Sequence, residues 1–130
     1  MSASSIDRRP SDLLRNWRFP VLAYCLPTAA IVVAGAFPLT NVWRAVAWAT
    51  ACLVMGAACL TNAVRCGRIH CFFTGPFFLA AAVAAILYGV GALPLGADGW
   101  NRLGLVLLVG AVVLMCVPEM IFGKYRAPRA

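Results

Sequence analysis

Four long apolar stretches constrain this chain more than any other feature. They run from Phe19 to Phe37, Ala45 to Val64, Phe72 to Leu93 and Leu103 to Phe122. About 20 residues of helix cross the hydrocarbon core of a bilayer, and each stretch is long enough to do so. None alternates polar and apolar residues in the two-residue rhythm of a barrel strand. The connections Pro38–Arg44, Arg65–Cys71 and Pro94–Arg102 are short, and short connections make successive helices antiparallel. The expected fold is therefore all-α. A four-helix transmembrane bundle (residues 19–122) sits between an N-terminal segment (1–18) and a tail (123–130).

Composition closes the other routes. Apolar side chains make up 63% of the 130 residues and charged ones 12%, against about 45–50% and 25% in soluble domains. A soluble enzyme, a secreted disulfide scaffold and a disordered chain are all excluded. The net charge of +7 is unevenly placed. Nine of the eleven Lys and Arg flank alternate ends of the spans: Arg8, Arg9, Arg15 and Arg18 before the first, Arg65 and Arg68 between the second and third, and Lys124, Arg126 and Arg129 after the fourth. Only Arg44 and Arg102 occupy the other side. Basic residues stay on the cytoplasmic face, so both termini and the central connection are expected there, in an inner (cytoplasmic) membrane. The basic balance reflects topology and anionic lipid, not nucleic acid.

Aromatic anchors fit the same scheme. Trp17, Phe19, Phe72, Phe73, Phe122 and Tyr125 fall at the inner boundary, and Trp43 and Trp100 at the outer one. Residues Ser11 to Arg18 read as a short surface helix leading into the first span. A competing reading takes Ala34-Gly35-Ala36 as a signal-peptide cleavage site. Asp7 and Asp12 in the basic start, and Tyr24 and Pro27 within the apolar run, argue for a retained span.

The central connection carries the chemistry. Arg65-Cys66-Gly67-Arg68-Ile69-His70-Cys71 holds the only His and two of the six Cys. Gly67 suits the left-handed residue that ends a helix. Thr74 or Gly75 is expected to cap the third helix, with Pro76 in its first turn. Cytoplasmic thiols are reduced by default, and thiolates select soft ions such as Cu(I) and Zn. Cys66, His70 and Cys71 are thus the expected ligands of a soft metal ion (Hg, Cu or Zn), with Cys59, Cys25, Cys116 and Glu119 as secondary candidates. Cys52, Cys59 and Cys66 share one helix face at roughly 10.5 Å intervals, too far apart for any two to share an ion. Small residues also line helix contacts in membranes, and free Cys is often a packing residue, so the same residues admit a plain structural reading.

Other readings of this loop stay open. Arg65, Arg68, Thr74 and Gly75 suit an anion or a lipid head group at a helix N-terminus. Glu119, an acid late in the fourth span, invites Arg65 or Arg68 as its partner. Nucleotide loops, serine elbows and Cys-x-x-Cys pairs are missing from the sequence.

The string from Asn62 to Leu79, with Arg65-Cys66-Gly67-Arg68, His70-Cys71 and Thr74-Gly75-Pro76, resembles a group of small uncharacterised prokaryotic four-span membrane proteins. The motif marks a family and implies no activity. A looser resemblance is to small mercuric-ion transport proteins, whose first span carries an adjacent cysteine pair where this chain has Cys25 alone. Three expectations follow. The first is a non-enzymatic binder or carrier of a soft metal ion. The second is an accessory subunit of a larger membrane complex, or an oligomer, docking a partner or anionic lipid through Arg65 and Arg68. The third is a membrane thiol enzyme turning over a quinone or dithiol. It ranks last, because the sequence shows no resolving pair and the loop faces the reducing side.

Overall fold

A computed structural model describes residues 16–123. Arg8, Arg9, Arg15 and most of the expected surface helix lie outside the described residues, as do Lys124, Tyr125, Arg126 and Arg129. Of Cys66 only the backbone is described.

Four helices are long and apolar enough to cross a membrane: α1 (Arg18–Ala36), α2 (Asn41–Cys66), α3 (Ile69–Gly89) and α4 (Gly99–Phe122). Among the described residues there is no strand. The four spans begin and end within a few residues of the expected bounds. Pro38 cannot continue a helix, and α1 ends two residues before it. Thr40 then caps α2, its hydroxyl accepting from the Trp43 N–H at 3.5 Å.

The connection between α2 and α3 is tighter than its sequence suggests. Gly67 adopts a left-handed conformation (φ 69°) and its N–H closes on the Ala63 carbonyl. Arg68 is extended, and α3 begins at Ile69. Gly67 turns the chain in a single residue, so Ile69, His70 and Cys71 are already helical. Thr74 and Gly75 therefore lie inside α3, not at its cap, and Pro76 is an interior proline. The expected placement of the cap is corrected by about a turn and a half.

Packing follows small residues. Gly56 of α2 faces Gly75 of α3, and a Cβ on Gly56 would stand 3.1 Å from the Gly75 carbonyl oxygen. Gly89 lies against Ala45, while Ala82 and Ala85 are almost completely buried. Without a hydrophobic drive between helices in lipid, close backbone approach and dispersion hold such pairs together. At the far end of the bundle Trp100 packs edge-on against Trp48 and Tyr88, with ring centroids 5.2 and 5.0 Å apart. Trp100 is thus a buried packing residue, whereas Trp43 is exposed as an interface anchor would be. Arg44 donates to the Ala34 and Phe37 carbonyls at the end of α1. α1 packs on α2 and α4 on α3, leaving a cleft with α1 and α4 as its banks.

Candidate functional site

Short connections bring the end of α2, the start of α3, the early part of α1 and the late part of α4 to one end of the bundle. α2 presents Cys59 and Asn62 three residues apart, hence on one face. α3 answers with His70, Cys71 and Thr74, and all five are buried. α1 contributes Tyr24 from a π-helical stretch, Val21–Cys25. Pro27 has no N–H to offer the Ala23 carbonyl, so the ladder widens there. Tyr24 is half-buried and its neighbour Cys25 exposed.

A single hydrogen-bonded chain links these groups. Arg68 Nε donates to Glu119 Oε1 at 3.1 Å. The same carboxylate oxygen lies 2.5 Å from His70 Nδ1. On the other side of the ring, His70 Nε2 lies 3.4 Å from Cys71 Sγ. Asn62 Nδ2 donates to Cys71 Sγ at 3.7 Å. The Cys71 thiol faces the Cys59 thiol across the helix interface, near enough for the two to interact. The Thr74 hydroxyl reaches both Cys59 Sγ (3.4 Å) and the His70 carbonyl (2.9 Å). Tyr24 Oη completes the chain, 3.2 Å from Cys59 Sγ.

Exposure falls from Glu119 through His70 to the two thiols. The side chain of Glu119 is 26% exposed and that of His70 5%. Cys59 is 2% exposed and Cys71 0%. With Nδ1–H donated to the Glu119 carboxylate, a neutral imidazole offers Nε2 as an acceptor to the Cys71 thiol. A nucleophile, a base in reach of it and a group orienting that base form the arrangement that activates thiols. Here a second thiol lies beside the first.

The structure distributes the expected site residues unevenly. His70, Cys71, Cys59 and Glu119 are brought together. Cys25 and Cys116 are exposed on α1 and α4 and take no part. Arg65 is exposed. Arg68 is engaged by Glu119 rather than held out for an anion, and the helix start beside it no longer includes Thr74 or Gly75. The side chain of Cys66 lies outside the described residues. Among those described, no three His, Cys, Asp or Glu side chains form a ready metal-binding group.

The face of Cys52, Cys59 and Cys66 forms no site by itself, and the exposed Cys25 and Cys116 do not complete it. The partner of Cys59 comes from α3, one helix over. Tyr24 carried no signal in the sequence, since its inward placement depends on the π-helical turn. Asn62 was legible as a polar residue near the same end, able to hydrogen-bond across helices, as it does to Cys71. Comparison with protein-family models, curated proteins and solved structures gives no match, so the argument for function rests on the site's own geometry.

Proposed function

We propose that this is a multi-pass inner-membrane protein, both termini cytoplasmic, that works as a thiol oxidoreductase through Cys59 and Cys71. The observation that carries this reading is the pairing of two buried thiols across α2 and α3, one of them hydrogen-bonded to an imidazole that a carboxylate orients. The lack of a Cys-x-x-Cys motif argues against redox chemistry only while the resolving thiol must be close in sequence. A neighbour on the facing helix serves as well.

The step balances as follows. The Cys71 proton passes to His70 Nε2, and Glu119 stabilises the resulting imidazolium. Two S–H bonds break and one S–S bond forms. Two electrons and two protons go to a two-electron acceptor, a quinone or a disulfide. With a quinone or a disulfide as acceptor, electrons flow from the dithiol outward. Reduced protein in lipid nanodiscs, treated with diamide and then unfolded and alkylated, is expected to lose two reactive thiols, mapped to Cys59 and Cys71. Cys59→Ser or Cys71→Ser abolishes that loss. Retention of all six thiols in the wild-type chain overturns the reading.

A second reading, binding of a soft metal ion by the same two thiols, is favoured by one detail. An imidazole tied through Nδ1 to a carboxylate, with Nε2 turned to sulfur, is how metal-site histidines are commonly held. Under it, purified protein binds one Cu(I) or Hg(II) per chain. Glu119→Gln weakens that binding by about 10–100-fold. Unaltered binding in the Cys59→Ser/Cys71→Ser double variant rules it out.

A further inference from the structure

Among the described residues, the dithiol is buried away from water. Cys71 is 0% exposed and Cys59 2%, and the Arg68–Glu119–His70 chain covers them from the end of the bundle. A folded protein bearing a disulfide has nothing to grip there. The approach that remains is from within the membrane domain. A cavity of about 670 Å³ lies between α1 and α4, floored by α2. Ligand pockets run to about 300–1,000 Å³ and are mostly apolar, with a few placed polar groups. Trp48, Met55, Phe78 and Leu107 supply the apolar walls, and Tyr24 and Thr28 line the end nearer the thiols. From Gly104 to Met115, both on its wall, the cavity follows α4 for roughly 16 Å at 1.5 Å per residue.

Tyr24 belongs to both places. It lines the cavity, and its Oη is the group 3.2 Å from Cys59 Sγ. An acceptor for the dithiol must therefore be small enough for the cavity, soluble in lipid, able to take two electrons, and able to accept a hydrogen bond from a phenol. Resting on the thiol-oxidoreductase reading, we propose that the cavity binds a prenylated quinone, its ring at Tyr24 and its tail running between α1 and α4.

Tyr24 Oη donates to one quinone carbonyl. The Cys59 proton reaches that oxygen through the Tyr24 hydroxyl. The Cys71 proton goes to His70 and leaves by way of Glu119, and the quinol takes its second proton from solvent. The two electrons released as the S–S bond forms reduce the quinone to quinol. Tyr24 is a positioning and proton-handing residue. The dithiol does the electron chemistry.

The test uses the full chain in quinone-free nanodiscs with a decyl-substituted benzoquinone as probe. Tryptophan fluorescence reports binding, since Trp48 and Trp100 line the cavity. Quinone absorbance reports quinol, and alkylation reports the Cys59–Cys71 disulfide. Wild type is expected to bind the probe, form quinol and lose two thiols together. Gly35 lines the same cavity, and a Cβ there meets nothing within 4 Å, so Gly35→Phe fills space without disturbing its helix. That variant is expected to bind the probe at least tenfold more weakly, yet still form the disulfide with diamide. Tyr24→Phe is expected to bind the probe more weakly and, even at saturating probe, to form quinol at least tenfold more slowly. If the probe neither binds nor oxidises the protein while diamide still forms the disulfide, the quinone site is wrong and the thiol reading stands. If neither oxidant forms the disulfide, the thiol reading itself is wrong. Undiminished quinone reduction in Gly35→Phe also overturns the site.

Discussion

In the proposed reaction Glu119 acts on Cys71 at one remove, through His70. Its carboxylate fixes which ring nitrogen carries the proton, so it governs the base rather than the nucleophile. Glu119→Gln is expected to slow alkylation of Cys71 by about tenfold, the lower end of the effect of losing such an orienting partner. It should also change the pH profile of that rate, while leaving alkylation of exposed Cys25 unchanged. Equal rates at Cys71 in both proteins would contradict the relay. Trp48 gives a residue-scale test of another kind. Its Nε1 is buried without a hydrogen-bond partner, and an unmet buried donor costs about 1–3 kcal/mol. Trp48→Phe keeps an aromatic ring against Trp100 and removes that donor. It is expected to be neutral within about 1 kcal/mol by denaturation in detergent, where truncating a buried Trp to Ala costs about 3–5 kcal/mol. His70, Cys71 and Glu119 stood out in the sequence because each is chemically out of place in an apolar chain. Tyr24 did not, since a tyrosine near a span end is ordinary and only packing gives it a partner.

At the scale of elements the site depends on how closely α2 and α3 approach. Gly56 lies one turn from Cys59, and Gly75 one turn from Cys71. A Cβ at Gly56 would press on the Gly75 carbonyl at 3.1 Å and on Leu79 Cδ2 at 3.0 Å, and backbone gives little. Gly56→Leu is expected to destabilise the bundle by about 1–3 kcal/mol and to slow disulfide formation between Cys59 and Cys71. Gly67→Ala tests the turn itself. Its φ of 69° is a conformation that costs a residue with a Cβ about 1–2 kcal/mol, and thermal unfolding should report a loss of that order. The spans were legible because length and apolar character decide them. The Gly67 turn was legible too, as a glycine after a basic last turn. The start of α3 was not. Thr74, Gly75 and Pro76 form a strong local cap signal, but Thr74 instead donates back to the His70 carbonyl and supports Cys59 from inside the helix.

Over the whole molecule, charge sets orientation and packing order sets access. The basic residues lie at alternate span ends, and the orientation proposed from them puts the dithiol near the cytoplasmic face. Reporter fusions at the two termini are expected to read cytoplasmic, and a fusion in the α3–α4 connection to read external. Opposite readings would invert the bundle and put the thiols on the oxidising side. The helices pack in chain order, so α1 and α4 are left apart and the cavity opens between them. Sequence reasoning had no means of seeing that gap, because it depends on which helices fail to meet. The most direct test of the account is a disulfide map of the chain in native membranes after brief oxidation. The account requires a cross-link joining a peptide of α2 to one of α3 through Cys59 and Cys71. A map in which Cys71 stays alkylatable, or pairs with any other cysteine, contradicts it.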